Sequence, residues 1–197
     1  RDRRPAGAGT ALFLTVEVGI GGALVVDGRP QGGAHGAAGE YGHLPFGDPE
    51  RLCPCGAHGC WTIEVDGRAL ARLTGEPDPA DPYSYALLVL ARAAAGEPRA
   101  SAAVEHVASR LGRGVAGLVN VHDPDVTVLG GLGPALRAAA PAAFDRAVRA
   151  GLMAFRRDAP PPVRDAVFGT DAALRGAIAI ALDEATSPAG LARLAER

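Results

Sequence analysis

The sequence predicts an α/β domain, on three observations. Two apolar, β-branched runs lie near the N-terminus, helical periodicity takes over from residue 68, and a short apolar run, Val126-Thr127-Val128-Leu129, follows the strongest helical stretch. Strands leading into helices in this order indicate α/β architecture, and an apolar tetrapeptide ending in Gly130-Gly131 suits a strand buried on both faces.

Taken in order, residues 12–18 and 23–26 read as adjacent strands separated by Gly19-Ile20-Gly21-Gly22, the second ending at the turn signal Asp27-Gly28. Residues 31–67 are rich in Gly, Pro, His and Cys without sustained periodicity, too long for an ordinary loop. Something other than a core must order them. Residues 83–95 are a candidate helix. Residues 101–119 are a stronger one, carrying Val104, Val107, Ala108, Leu111, Val115, Leu118 and Val119 on one stripe and stopped by His122-Asp123-Pro124. After the 126–129 strand come a helix over 134–152 interrupted by Pro141, a strand over 163–168, and a helix over 171–185 with Leu174, Ile178 and Leu182 four apart. No internal repeat is visible.

The 197 residues carry 20 basic and 22 acidic side chains, a net charge of −2, and no basic block, which argues against phosphate-driven nucleic-acid binding by this segment. No apolar run reaches the length of a membrane span and the N-terminus has no signal-peptide core, so a soluble, cytoplasmic protein is expected. Every basic residue is arginine. Without lysine, a phosphate-loop lysine, a Schiff base and a serine–lysine dyad are all excluded. Ser84, Ser101, Ser109 and Ser187 are the only serines, and none sits in G-x-S-x-G.

Three cysteines, Cys53, Cys55 and Cys60, fall within eight residues, an odd count and a spacing that favour metal ligation over disulfides. With His43 they form H-x9-C-x-C-x4-C. Gly56 and Gly59 permit the tight turn that would bring the thiolates onto one cation, and four N/S ligands without a carboxylate point to tetrahedral, structural zinc. Such a site also explains how 31–67 is ordered. His58 is a rival fourth ligand, but it lies inside the Cys55–Cys60 turn and ranks below His43. Gly19-Ile20-Gly21-Gly22 either cradles a phosphate with backbone N–H groups or is simply a tight β-turn. Glu40 and His43, three apart, are able to hydrogen-bond vicinal sugar hydroxyls, though a lone loop glutamate is as readily just solvated. Chemistry alone leaves both pairs of readings open.

The segments TVEVGIGGALVVDG at 15–28, GAHGAAGEYGH at 33–43 and CPCGAHGCW at 53–61 resemble the ROK family, named for repressors, open reading frames and sugar kinases. DPDVTVLGGLG at 123–133 and FGTDAALRGAIAIALDEA at 168–185 extend the resemblance over nearly the whole chain. It implies an actin-like, ribonuclease-H-like lobe with an inserted zinc-binding loop, a sugar site between two lobes, and a homodimer. It assigns zinc to His43, Cys53, Cys55 and Cys60, and sugar contacts to Glu40 and His43. The family places a further sugar-binding glutamate where this chain has Thr62, and Glu64, two residues on, is the nearest substitute. The family's second phosphate motif, G-T-G-x-G, reads Glu17-Val18-Gly19-Ile20-Gly21 here, so Gly19 and Gly21, with Gly130 and Gly131, are taken as remnants of a nucleotide loop. Its first phosphate motif and catalytic aspartate lie upstream of residue 1. The E-V-G-x-G-G form and the G-C-W after the zinc cysteines resemble the regulator branch, whose helix-turn-helix would also lie upstream. The expectation is therefore a single C-terminal lobe over 1–197, binding a sugar effector and dimerising within a repressor, contacting DNA only through an upstream domain, and not itself an enzyme. A fragment of an ATP-dependent sugar kinase is the alternative, and a bare zinc-stabilised scaffold a third reading.

Overall fold

A computed structural model describes residues 9–195. Strands β1 (Thr10–Glu17), β2 (Gly19–Val26) and β3 (Arg29–Pro30) open the chain. Helices α1 (Gly67–Thr74), α2 (Pro82–Ala94) and α3 (Pro98–His122) follow, then β4 (Val126–Gly131), α4 (Gly133–Ala139), α5 (Pro141–Gly151), the single turn α6 (Ala154–Arg157) and β5 (Val163–Asp165). Helices α7 (Ala172–Thr186) and α8 (Pro188–Ala195) close it. The sheet order is β3-β2-β1-β4-β5, with β1–β2 and β2–β3 antiparallel and β1–β4 and β4–β5 parallel.

Alternation along β1 buries Leu12, Leu14 and Val16 completely, and they join the α3 residues Val107, Leu111 and Val115 and the β4 residue Leu129 in one core. Helix α3 packs against α1, α2, α4 and α5, and so centres the helical layer. Its start and end follow from its sequence: Pro98 occupies the first turn, and Asp123, in the left-handed conformation (φ 47°), donates its N–H to Val119 O at 3.0 Å before Pro124. Asp81 starts α2 by accepting from Tyr83 N and Ser84 N.

The expected α/β class and the order of elements hold, with corrections at the boundaries. The glycine run at 19–22 is not a linker between strands. It lies inside β2, Glu17 pairs with Gly19, and exposed Val18 alone makes the turn. Helix α1 begins at the end of the irregular segment, where Asp66 caps it from Arg68 N and Ala69 N at 3.0 and 3.1 Å. Pro141 separates two helices, α4 and α5, instead of interrupting one. Strand β5 ends at Asp165, not at residue 168, and pairs Val163, Arg164 and Asp165 with Thr127, Val128 and Leu129 of β4.

The chain divides into two compact units, one ending at Asp165 and one starting at Ala166. Within the second, the Arg175 guanidinium stacks 4.9 Å from the Phe168 ring centroid, Arg193 pairs with Glu184, and Leu174, Ile178 and Leu182 are exposed.

Candidate metal centre and ligand cavity

Residues 31–66 reach the site by lying directly on the sheet, and absent side chains allow it. A Cβ on Gly39 (φ 97°) would stand 2.3 Å from Gly22 O, and one on Gly22 would stand 2.8 Å from Phe13 O. The glycines of β2 thus serve close approach of the overlying loop. Further along, Trp61 anchors the segment to α3. It is fully buried, its Nε1 donates to Arg110 O at 3.0 Å, and its ring fills the space where Gly114 has no side chain.

Between these anchors the cysteines sit on a tight hairpin. Cys53 N donates to Ala57 O at 2.7 Å, Gly56 N to Cys53 O at 2.9 Å and Gly59 N to Arg51 O at 2.9 Å, with Gly56 and Gly59 both at positive φ. The turn carries Cys53, Cys55 and Cys60 to His43, so that one donor atom from each lies within 4.8 Å of the others. Cys55 Sγ is 3.6 Å from Cys60 Sγ, and Cys53 Sγ is 3.8 Å from His43 Nδ1. Bond lengths of about 2.3 Å for zinc–sulfur in a tetrahedron put ligand atoms about 3.8 Å apart, close to the two distances just given, so the donor set is consistent with that ion. His58 stays outside the cluster, paired with Leu52 across the hairpin.

The thiols carry the electrostatic mark of a cation site. The backbone N–H of Ala57 and then the Cys53 thiol hold Cys55 below the usual thiol range, while burial, followed by the neighbouring Cys55 and Cys53, pushes Cys60 up to about 12. The exposed Cys55 and the buried Cys60 are thus pushed in opposite directions, and a bound cation would favour the thiolate of each.

His43 divides its ring between two roles. Nδ1 faces Cys53, and Nε2 lies 3.9 Å from Glu40 Oε2. His43 also lines a cavity of about 470 Å³ walled by Glu17, Val18, Gly19 and Gly21 of the hairpin on one side and by Thr62, Asp66, Arg68 and Arg72 on the other. Thr62 Oγ1 accepts from Ile20 N at 2.9 Å, tying the wall to the hairpin.

The expected site residues are therefore only partly brought together. Glu40 meets His43 but is largely exposed and does not line the cavity. Gly19 and Gly21 line it. Gly130 and Gly131 do not; they finish β4 opposite Thr15 and Val16. Glu64 turns away, buried beside Arg51 and Arg110 in a different cavity. Asp66, Arg68 and Arg72 escaped the sequence reading. Their signal was a capping aspartate ahead of an arginine pair four apart on one helical face. Burial raises the Asp66 pKa despite its two backbone donors, and burial lowers that of Arg72.

The model of the ROK family matches residues 3–184. The chain belongs to the ROK family. Among named ROK relatives, the N-acetylmannosamine kinase of Citrobacter koseri is 37% identical over 122 residues, covering 61% of this chain and 40% of that protein. A Caldicellulosiruptor protein provisionally named xylose repressor is 32% identical over 130 residues, covering 60% and 33%. The solved structure of the ROK hexokinase from Thermus thermophilus aligns with a TM-score of 0.69 at 34% identity, covering 87% of this chain and 56% of that one. This ROK chain is thus an actin-like α/β lobe with a mixed five-stranded sheet and a His/Cys3 cluster consistent with a zinc site. It spans less than half the length of the curated relatives it matches. Both kinases and regulators occur among them, kinases more often. Among the described residues, no helix is long and apolar enough to cross a membrane.

Proposed function

We propose that this chain is the sugar-binding lobe of a ROK sugar kinase, with zinc on His43, Cys53, Cys55 and Cys60 as a structural ion. The observation that carries the sugar site is the divided imidazole of His43. With zinc held at Nδ1, the His43 ring would carry its proton on Nε2, which lies 3.9 Å from Glu40 Oε2 and would donate to a hydroxyl placed between the two. A carboxylate acceptor and an imidazole donor are a suitable pair for vicinal hydroxyls, and the adjoining cavity is large enough for a hexose. The phosphorylating activity rests on the kinases named above, which outnumber repressors and so weigh against the repressor expected from the sequence.

One observation favours the repressor as a second reading. The hairpin tip that faces the cavity carries Glu17 and Val18. A carboxylate there opposes a triphosphate, which phosphoryl transfer needs cradled and neutralised, whereas an effector site needs no phosphate contacts. Calorimetry with hexoses and amino sugars on zinc-loaded protein tests the sugar site; binding that survives intact in Glu40→Ala contradicts it. A coupled assay for ADP release with the sugar that binds separates the readings. Turnover by protein that also carries the segment upstream of residue 1, where the family's catalytic aspartate is expected, supports the kinase, and sugar binding by that same protein without turnover supports the repressor.

A further inference from the structure

Behind the wall that carries Thr62, the chain makes a second cavity of about 450 Å³ that the sugar site does not use. Its floor is Glu64, with only 8% of the side chain exposed. No donor among the described residues hydrogen-bonds Glu64 Oε1. Arg51 Nε stands 3.7 Å from Oε1 and Arg110 Nε 4.0 Å from Oε2, near enough to balance the charge and too far to satisfy it. A buried carboxylate left in that state is costly, and Glu64 is among the residues that line the cavity. Arg51, Arg72 and Arg110 outnumber Asp48 and Glu64 around the space, so it carries a net positive charge. His106, held below its ordinary pKa by burial and then by Arg110, adds a neutral ring to the rim.

We propose that this cavity is a second small-molecule site, for an anion that also carries hydroxyls: a phosphorylated or carboxylated sugar. Arg51 and Arg110 take the anionic group as charged donors, and Glu64 accepts from a hydroxyl. The volume exceeds what a bare phosphate fills and suits a polyol attached to it. A neutral sugar meets the glutamate but adds no anion to a cluster whose three arginines have only Asp48, 3.4 Å from Arg51 Nε, and Glu64 as lining carboxylates. Inorganic phosphate does the reverse. Recognition therefore needs both parts on one molecule.

The test is calorimetry on the zinc-loaded chain with four probes: a hexose 6-phosphate, a hexuronate, the neutral hexose and inorganic phosphate. The expected result is that the phosphate ester or the hexuronate binds at least about tenfold more tightly than either the hexose or the phosphate alone, with affinity falling as salt rises. Arg51→Gln, at a half-exposed position, weakens that binding about tenfold. Glu64→Gln, nearly isosteric, lowers affinity with the chain still folded by circular dichroism, because it keeps the side-chain shape and removes the carboxylate charge. Equal affinity for inorganic phosphate and the ester, full affinity in Arg51→Gln, or loss of binding in Glu40→Ala overturns the proposal. The last outcome places the anionic sugar in the first cavity and leaves that site's own assignment standing.

Discussion

Gly114 has no Cβ at the point where one would lie 2.1 Å from the Trp61 ring. In an exposed helix, replacing glycine by alanine gains roughly 1 kcal/mol; here the same change must displace a fully buried indole whose Nε1 is already bonded to Arg110 O. Gly114→Ala is therefore expected to destabilise by about 1–3 kcal/mol, read as a lower urea midpoint with unchanged slope. Cys55→Ser, by contrast, alters an exposed thiol that packs against little. It should still abolish stoichiometric zinc in elemental analysis and lower the melting temperature by roughly 5–10 °C, since metal affinity is folding free energy. Zinc retained at one equivalent by that variant would remove Cys55 from the ligand set. These residues also mark how far sequence reading reaches. The cysteine spacing was legible because thiolate chemistry depends on local turns. Gly114 was not, because its reason is a tryptophan 53 positions away, read from the numbering alone.

At the scale of elements, Arg92 of α2 ties the ends of two helices together. Its guanidinium lies 2.7 Å from Glu76, just past α1, and 2.6 Å from Glu97, which precedes α3, and it holds both carboxyls below the usual glutamate range. Depressed carboxylate values stabilise the fold above the ordinary glutamate pKa, and that contribution is lost as pH falls through the lowered values. Arg92→Gln should therefore unfold earlier than the parent near about pH 7, with the difference shrinking as pH falls below the ordinary glutamate pKa and through the lowered values, measured by urea midpoints along that pH series. The same scale explains the misplaced glycine run. Strand and turn both tolerate Gly-Ile-Gly-Gly, and only the loop lying across β2, with Gly39 against Gly22 O, decides for the strand. The 101–119 helix was legible because a 3.6-residue stripe is a property of its own sequence. Glu64, taken from the sequence as the nearest substitute for a sugar-binding glutamate at Thr62, lines the second cavity, because along the short helical turn Trp61–Glu64 the side chains of Thr62 and Ile63 face one side of the wall and that of Glu64 the other.

For the molecule as a whole, the metal cluster and the sheet divide the work of ordering the chain. Removing zinc with a chelator should loosen residues 31–66 while leaving the helical layer formed, seen as a loss of hydrogen-exchange protection confined to that segment. Uniform loss across α3 as well would mean that the ion supports the entire core. Dimerisation, implied by family resemblance, is expected to give twice the monomer mass in sedimentation equilibrium, and a monomer at micromolar concentration contradicts it. The central pairing of the sheet has a kinetic consequence of its own. Strand β1 lies between β2, its immediate successor, and β4, which it meets with Ala11 opposite Val126 across more than half the chain. The hairpin closes a short loop and is available early, whereas the parallel pairing has to await three helices and bears the entropy of a very long closure. During synthesis the β1–β2 hairpin therefore emerges before the partner of β1's other edge, and in the interval before β4 arrives that edge is open to pairing with a neighbour.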